Sequence, residues 1–165
     1  WPPDAPPQPP SAMAERVVGE FIPVNEWIDP ALLPTVIPSA GGITNARAMA
    51  RVGEIVALKG TVDGRRYLSP GIIATAGEEQ SFTEDQMVGW VRYGLGFGLH
   101  TDDYPAPTPA TMHWGGYGGS FLTMDPASGI SCAYAQSQLL LDGGPFLDRR
   151  RVEFWRLLGE ITGTL

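Results

Sequence analysis

The chain has 165 residues, 43% of them hydrophobic, which suffices for the core of one domain, or a large piece of one, and excludes a disordered tail. A formal net charge of -7 and a pI near 4.7 argue against nucleic acid or an anionic membrane as partner, because both bind through a positive patch. Cys132 is the one cysteine, so an internal disulfide and a multi-cysteine zinc site are excluded, and no run reaches the about 18 apolar residues of a membrane span.

In chain order, WPPDAPPQPPSA carries six prolines in twelve residues and reads as an extended, polyproline-like arm over residues 1–20, with residues 21–165 forming the folded part. Between Phe21 and Pro38 the prolines alternate with apolar residues, as in an ordered loop lying on a core. A start on Trp1, with no basic-then-apolar leader pattern, suggests that something upstream was removed. With no disulfide and no visible signal peptide, the cytoplasm is the expected compartment.

PSAGGITNARAMARVGEIVALKG predicts a helix capped by Thr44 or Asn45, with Met49, Val52, Ile55 and Val56 on one face and Gly60 as its stop. Asp63-Gly64 marks a hairpin turn, and Ser69-Pro70 opens a short helix. In VRYGLGFGLH, Tyr93, Leu95, Phe97 and Leu99 alternate with glycines, which predicts one strand with a bare face closely approached by another segment. SFLTM, DPASG and ISCAYAQS read as strand, turn and strand, with Cys132 a small buried hydrophobe. FLDRRRVEFWRLLGEITGTL predicts a terminal helix with Phe154, Trp155, Leu157, Leu158 and Ile161 as an apolar stripe and Arg149-Arg150-Arg151 as a solvated start. The sum is an α+β layer of three antiparallel strands flanked by helices.

The chemistry concentrates in MHWGGYGGS, residues 112–120. A phosphate loop leads into a helix, whereas these glycines lead into the strand-like SFLTM. Gly118-Gly119-Ser120-Phe121-Leu122 fails the nucleophile elbow at its last position, and nothing in the spacing of Ser120, His113 and Asp102 supports a triad. His100-Thr101-Asp102-Asp103 reads as a polar exit from a strand and not as a metal site. Two readings stay open: a tightly packed strand, or a strand whose backbone N–H groups polarise a substrate carbonyl.

The succession PSAGGITNARAMARV, DGRRYLSP, YGLGFGL and HWGGYGGSFLTMDPASGISCAYAQSQL resembles the C-terminal part of serine β-lactamase-like hydrolases. It is most similar to the esterase branch of the class C β-lactamase and penicillin-binding-protein family, over roughly residues 30–165. The resemblance implies the C-terminal portion of that fold, with an antiparallel sheet flanked by helices. In that family a strand beside the active site carries Lys-Thr-Gly, His-x-Gly or Trp-Gly-Gly, and the next backbone N–H serves the oxyanion hole. Aligned on the following Gly-Gly pair, His113, Trp114 and Gly115 take the three positions and Gly116 donates. His113 then sits at the pocket edge, orienting substrate or assisting the leaving group, with Trp114, Gly115 and Tyr117 contacting substrate. One residue later, Trp114, Gly115 and Gly116 take the positions and the donor becomes Tyr117.

The family's nucleophile and base lie in Ser-x-x-Lys, and a second motif reads Tyr-x-Asn. Here the sole lysine, Lys59, has Val56 three residues before it, and no tyrosine has Asn two residues later. The resemblance therefore implies no nucleophile in this chain, a companion N-terminal chain that carries it, no cofactor or metal, and a small ester or amide as substrate. The motif's missing lysine disfavours a β-lactam carboxylate. The alternatives are an acyltransferase or a non-catalytic module of the same fold whose Pro-rich arm is the functional element. Alone, the chain is expected to expose apolar surface and associate.

Overall fold

Asn45 opens the first described helix, α1 (Ala46–Ala57), by accepting the Ala48 N–H at 3.0 Å on its side-chain oxygen. The computed structural model describes residues 42–85, 89–102, 105–116, 118–137 and 149–163 together with Pro34 and Pro38. The expected Pro-rich arm, nearly all of the 21–38 loop, and Tyr117 lie outside them.

The inward line of α1 runs through Gly53, Val56 and Ala57, while Val52, expected on that face, is 63% exposed. The reason is the glycine. A side chain at position 53 would collide with Ser131, Leu122 and Met124, so the helix descends on the sheet where it has none, and the Ser131 hydroxyl donates to the Ala50 carbonyl at 2.7 Å. Gly60 ends the helix as expected, its N–H donating to the Ile55 carbonyl.

Strands β1 (Thr61–Val62) and β2 (Arg65–Arg66) form the hairpin about Asp63-Gly64. Helix α2 (Pro70–Ala76) follows, with Ser69 capping the Ile72 N–H at 3.2 Å and Pro70 in the first turn.

The sheet has six strands in consecutive antiparallel order: β3 (Ser81–Asp85), β4 (Gly89–Tyr93), β5 (Gly98–Leu99), β6 (Met112–Gly115), β7 (Phe121–Asp125) and β8 (Ile130–Tyr134). It exceeds the three expected, because β3 carries no apolar alternation and VRYGLGFGLH is two strands with a reversal between them. Gly94 N–H donates to the Phe97 carbonyl at 2.9 Å, and Gly96 adopts φ +82°, a conformation a Cβ would strain. The close approach expected over the bare face exists. A Cβ on Gly98 would lie 2.7 Å from His113 Cε1, so the imidazole occupies the room that glycine leaves.

The two faces of β7 show how the layers form. Leu122 and Met124 join Val56, Ile73, Leu99 and Met112 in the core beneath α1 and α2. Phe121 and Thr123 point the other way, to α3 (Arg149–Thr162). Trp155 is buried there, its indole N–H donating to Thr123 Oγ1 at 2.7 Å, and Phe154 meets Phe121 edge-on at 5.3 Å. The α3 stripe is narrower than expected, since Leu157 is exposed and Ile161 is 82% exposed. Nor is its arginine run solvated throughout: Arg149 is exposed, but Arg151 is 1% exposed, with its guanidinium 5.2 Å from the Trp155 ring. The architecture is α+β, an antiparallel sheet flanked by helices.

Candidate active site

Strand β6 takes its register from β7: Met112 faces Met124, His113 Thr123, Trp114 Leu122 and Gly115 Phe121. On its other side Leu99 and Gly98 of β5 face Met112 and His113, so Trp114 and Gly115 extend beyond the end of β5. Gly116 N–H donates to the Ser120 carbonyl at 2.7 Å and therefore points to the β7 side. In an antiparallel ladder successive residues turn their peptide groups to opposite sides. Gly115 thus directs its N–H and C=O away from β7, toward the margin that β5 leaves.

This geometry corrects two expectations. The Gly116 N–H is committed to the hairpin, so it is no oxyanion donor. His113 does not stand at a pocket edge: alternation turns it under α3, where it is 2% exposed and packs edge-on against Trp155 at 4.7 Å. Burial, then the charge of Arg151, push its pKa down to about 3, so it is neutral at ordinary pH. Trp114, by contrast, is 42% exposed, with its ring 5.9 Å from that of Tyr93. Tyr93 donates to an Asp85 carboxylate oxygen at 3.3 Å, and burial followed by that carboxylate's charge pushes its pKa up to about 12. It keeps its proton at ordinary pH. Tyr117 lies outside the described residues.

After Gly116 the chain reverses. Gly119 N–H donates to the Gly116 carbonyl at 3.1 Å, and Gly118 and Gly119 take φ of +85° and +108°, which side chains rarely adopt. Arg150 of α3 reaches across to donate from Nη2 to the Gly118 carbonyl at 2.9 Å, its guanidinium 5.5 Å from the Tyr134 ring. Sequence reading placed Arg150 in solvent. Only the docking of α3 brings it to a turn 32 residues away.

Other hydroxyl, thiol and imidazole groups have structural work. Ser120 Oγ fills the space beside Gly116, Ser128 donates to Asp125 at 2.9 Å, and Ser69 caps α2. Cys132 is half-buried, and burial pushes its thiol pKa up, away from the thiolate a nucleophile needs. His100 Nδ1 accepts the Ala106 N–H at 3.2 Å, and among the described residues no three His, Cys, Asp or Glu side chains gather about a metal position. An open apolar groove of about 670 Å³ lies beside Met112, lined also by Val56, Leu68, Ile72, Ile73 and Phe97. Among the described residues no helix is long and apolar enough to cross a membrane.

The chain is similar to several known proteins. The Beta-lactamase family model matches residues 1–153. An esterase/beta-lactamase, LipL, of Mycobacterium tuberculosis (strain ATCC 25618 / H37Rv) is 32% identical over 111 residues, 66% of this chain and 25% of that protein. Among solved structures, a family VIII carboxylesterase superposes with a TM-score of 0.71 at 31% identity, over 83% of this chain and 36% of that one. A penicillin-binding protein homolog from Caulobacter crescentus gives 0.71 at 30% identity, over 100% of this chain and 44% of that one. EstA from Arthrobacter nitroguajacolicus Rue61a, 20% identical with a TM-score of 0.64, shares the fold. The chain spans a quarter of the curated relative and less than half of the solved ones.

Proposed function

This chain belongs to the beta-lactamase family, and from that premise we propose that it is the substrate-binding portion of a serine hydrolase that cleaves small esters or amides through an acyl-enzyme. The observation that carries the reading is the exposed end of β6 in a chain that the Beta-lactamase family model matches over residues 1–153. The Gly116 N–H is spent on the Ser120 carbonyl, and Trp114 is 42% exposed where β6 runs beyond the end of β5. Because the Gly116 N–H is spent on Ser120, we adopt the register in which Trp114, Gly115 and Gly116 fill the family motif and the N–H of residue 117 receives the oxyanion.

The nucleophile is supplied from outside this sequence, on an upstream segment or a companion chain bearing Ser-x-x-Lys. Its hydroxyl oxygen adds to the substrate carbonyl while the proton passes to the lysine and tyrosine of the family's motifs. The carbonyl oxygen becomes an oxyanion held between the serine's own N–H and that of residue 117. Each such donor is worth about 10²–10³ in rate. Collapse expels the alcohol or amine with a proton, and water then attacks the acyl-serine to release the acid. Trp114 forms the wall beside the reacting carbonyl. With no lysine in the motif, nothing on β6 supplies a cation to a β-lactam carboxylate.

The test is turnover of p-nitrophenyl acetate against nitrocefin by the complete hydrolase. Ester hydrolysis that far outruns β-lactam hydrolysis is expected. The absence of ester turnover, or efficient nitrocefin cleavage, contradicts the reading.

A further inference from the structure

Strand β3 is exposed from Ser81 to Glu84, and its half-buried residue is a carboxylate, Asp85. Charged side chains are covered chiefly where something bonds them, and here the partner is a phenol. Tyr93 of β4 donates its hydroxyl to Asp85 Oδ2 at 3.3 Å. Its pKa, pushed up to about 12 by burial and then by the Asp85 charge, keeps it a donor at ordinary pH. The Tyr93 ring lies 5.9 Å from the ring of Trp114 on β6, the two planes at 38°. The strand between them is short: β5 is Gly98–Leu99 and pairs with β6 at His113 and Met112 alone. Past its end, a ring from the strand beyond reaches Trp114.

We propose that Asp85 and Tyr93 are positioning residues that fix the Trp114 indole as a wall of the substrate cleft, and so restrict the enzyme to esters with small groups beside the carbonyl. The inference rests on the proposed hydrolase function, in which Trp114 stands beside the reacting carbonyl. An indole that is 42% exposed can change rotamer about its two side-chain bonds unless a neighbour blocks the swing. Tyr93 is that neighbour, because aromatic pairs hold preferred geometries, and its own far end is tied to Asp85. A fixed apolar wall discriminates by about 10- to 200-fold per methylene, whereas a swinging one yields to larger groups.

The experiment compares wild type with Tyr93→Phe, Asp85→Ala, Asp85→Asn and Trp114→Ala. The control is Arg156→Ala, whose guanidinium pairs with Glu153 and Glu160 on the exposed side of α3. In the complete hydrolase, kcat/KM is measured for p-nitrophenyl acetate, p-nitrophenyl octanoate and 2-naphthyl acetate, together with the melting temperature. Fluorine NMR of protein labelled with fluorotryptophan follows Trp114, its signal assigned by Trp114→Phe. The preference for p-nitrophenyl acetate over one or both larger esters should fall about 10-fold or more in Trp114→Ala. Tyr93→Phe and Asp85→Ala should lower the same preference by about 3- to 10-fold and shift or broaden the Trp114 signal. Asp85→Asn keeps an acceptor for the phenol, so it should stay near wild type in both readouts, as should Arg156→Ala.

An active wild type whose preference is unchanged in Tyr93→Phe and Asp85→Ala overturns the inference and leaves the hydrolase reading standing, whether or not the Trp114 signal moves. An unchanged preference in Trp114→Ala overturns it too, since the indole is then no wall. So does a fall that tracks lost melting temperature with Asp85→Asn no better than Asp85→Ala, which reduces Asp85 to a stability role. A wild type inactive on all three esters removes the hydrolase reading and the inference with it.

Discussion

His113 gives up the exposed, titrating role that its place in a glycine-rich motif suggested, and the cause is the two-residue period of the strand. Neighbours on β6 face opposite sides, so one of the pair His113 and Trp114 had to be buried, and α3 with its Trp155 takes the histidine. The consequence can be measured. Its pKa, pushed down to about 3 from the ordinary 6.5, means that the unfolded chain takes up a proton the folded one refuses. Stability from this site is complete above the unfolded value, and falls as pH drops from 6.5 toward 3. The slope there is about 1.4 kcal/mol per pH unit. Between about pH 7.5 and about pH 5, wild type should lose about 2 kcal/mol that His113→Gln does not lose, read from urea midpoints at both values. Equal losses in both proteins would show that the imidazole is not held neutral. The need for glycine in the motif was legible at this scale. Which of two adjacent residues faces substrate was not, because that depends on which side of the strand α3 covers.

Among the elements, those with local signals were read well. Asn45 capped α1, Ser69-Pro70 opened α2, Asp63-Gly64 turned a hairpin, and the DPASG turn joined β7 to β8, because in each case the determining atoms lie within a few residues. VRYGLGFGLH misled because alternating glycines satisfy a strand period and a turn's backbone demands equally, and only the bonds from Gly94 to Phe97 and from Leu95 to Ala76 decide between them. The arginine run misled for a different reason. Helix α3 buries Arg151 through tertiary packing, and charge patterning within one helix carries no trace of what it docks against. That docking rests on Trp155, which fills the α3 interface and satisfies its indole N–H on Thr123. Trp155→Ala should cost about 3–5 kcal/mol, with the unfolding midpoint reporting it. A change below about 1 kcal/mol would mean that α3 contributes little to the sheet's second face.

As a whole, the described residues form a six-stranded sheet with apolar side chains exposed beside it. Ile72 and Leu95 stand exposed around the groove beside Met112, and Trp114 is exposed on β6. Apolar side chains gathered this way mark surfaces meant to meet something else. The chain spans 36% and 44% of two solved structures that match it at 30% identity or above. We propose that this portion supplies the oxyanion strand and that the nucleophile comes from elsewhere in the assembled hydrolase. The most direct test is labelling of the complete protein with a fluorophosphonate, followed by mapping of the modified peptide. The expected tag lies on the serine of a Ser-x-x-Lys sequence outside residues 1–165. A tag on Ser120, or on any other serine of this chain, would contradict the account.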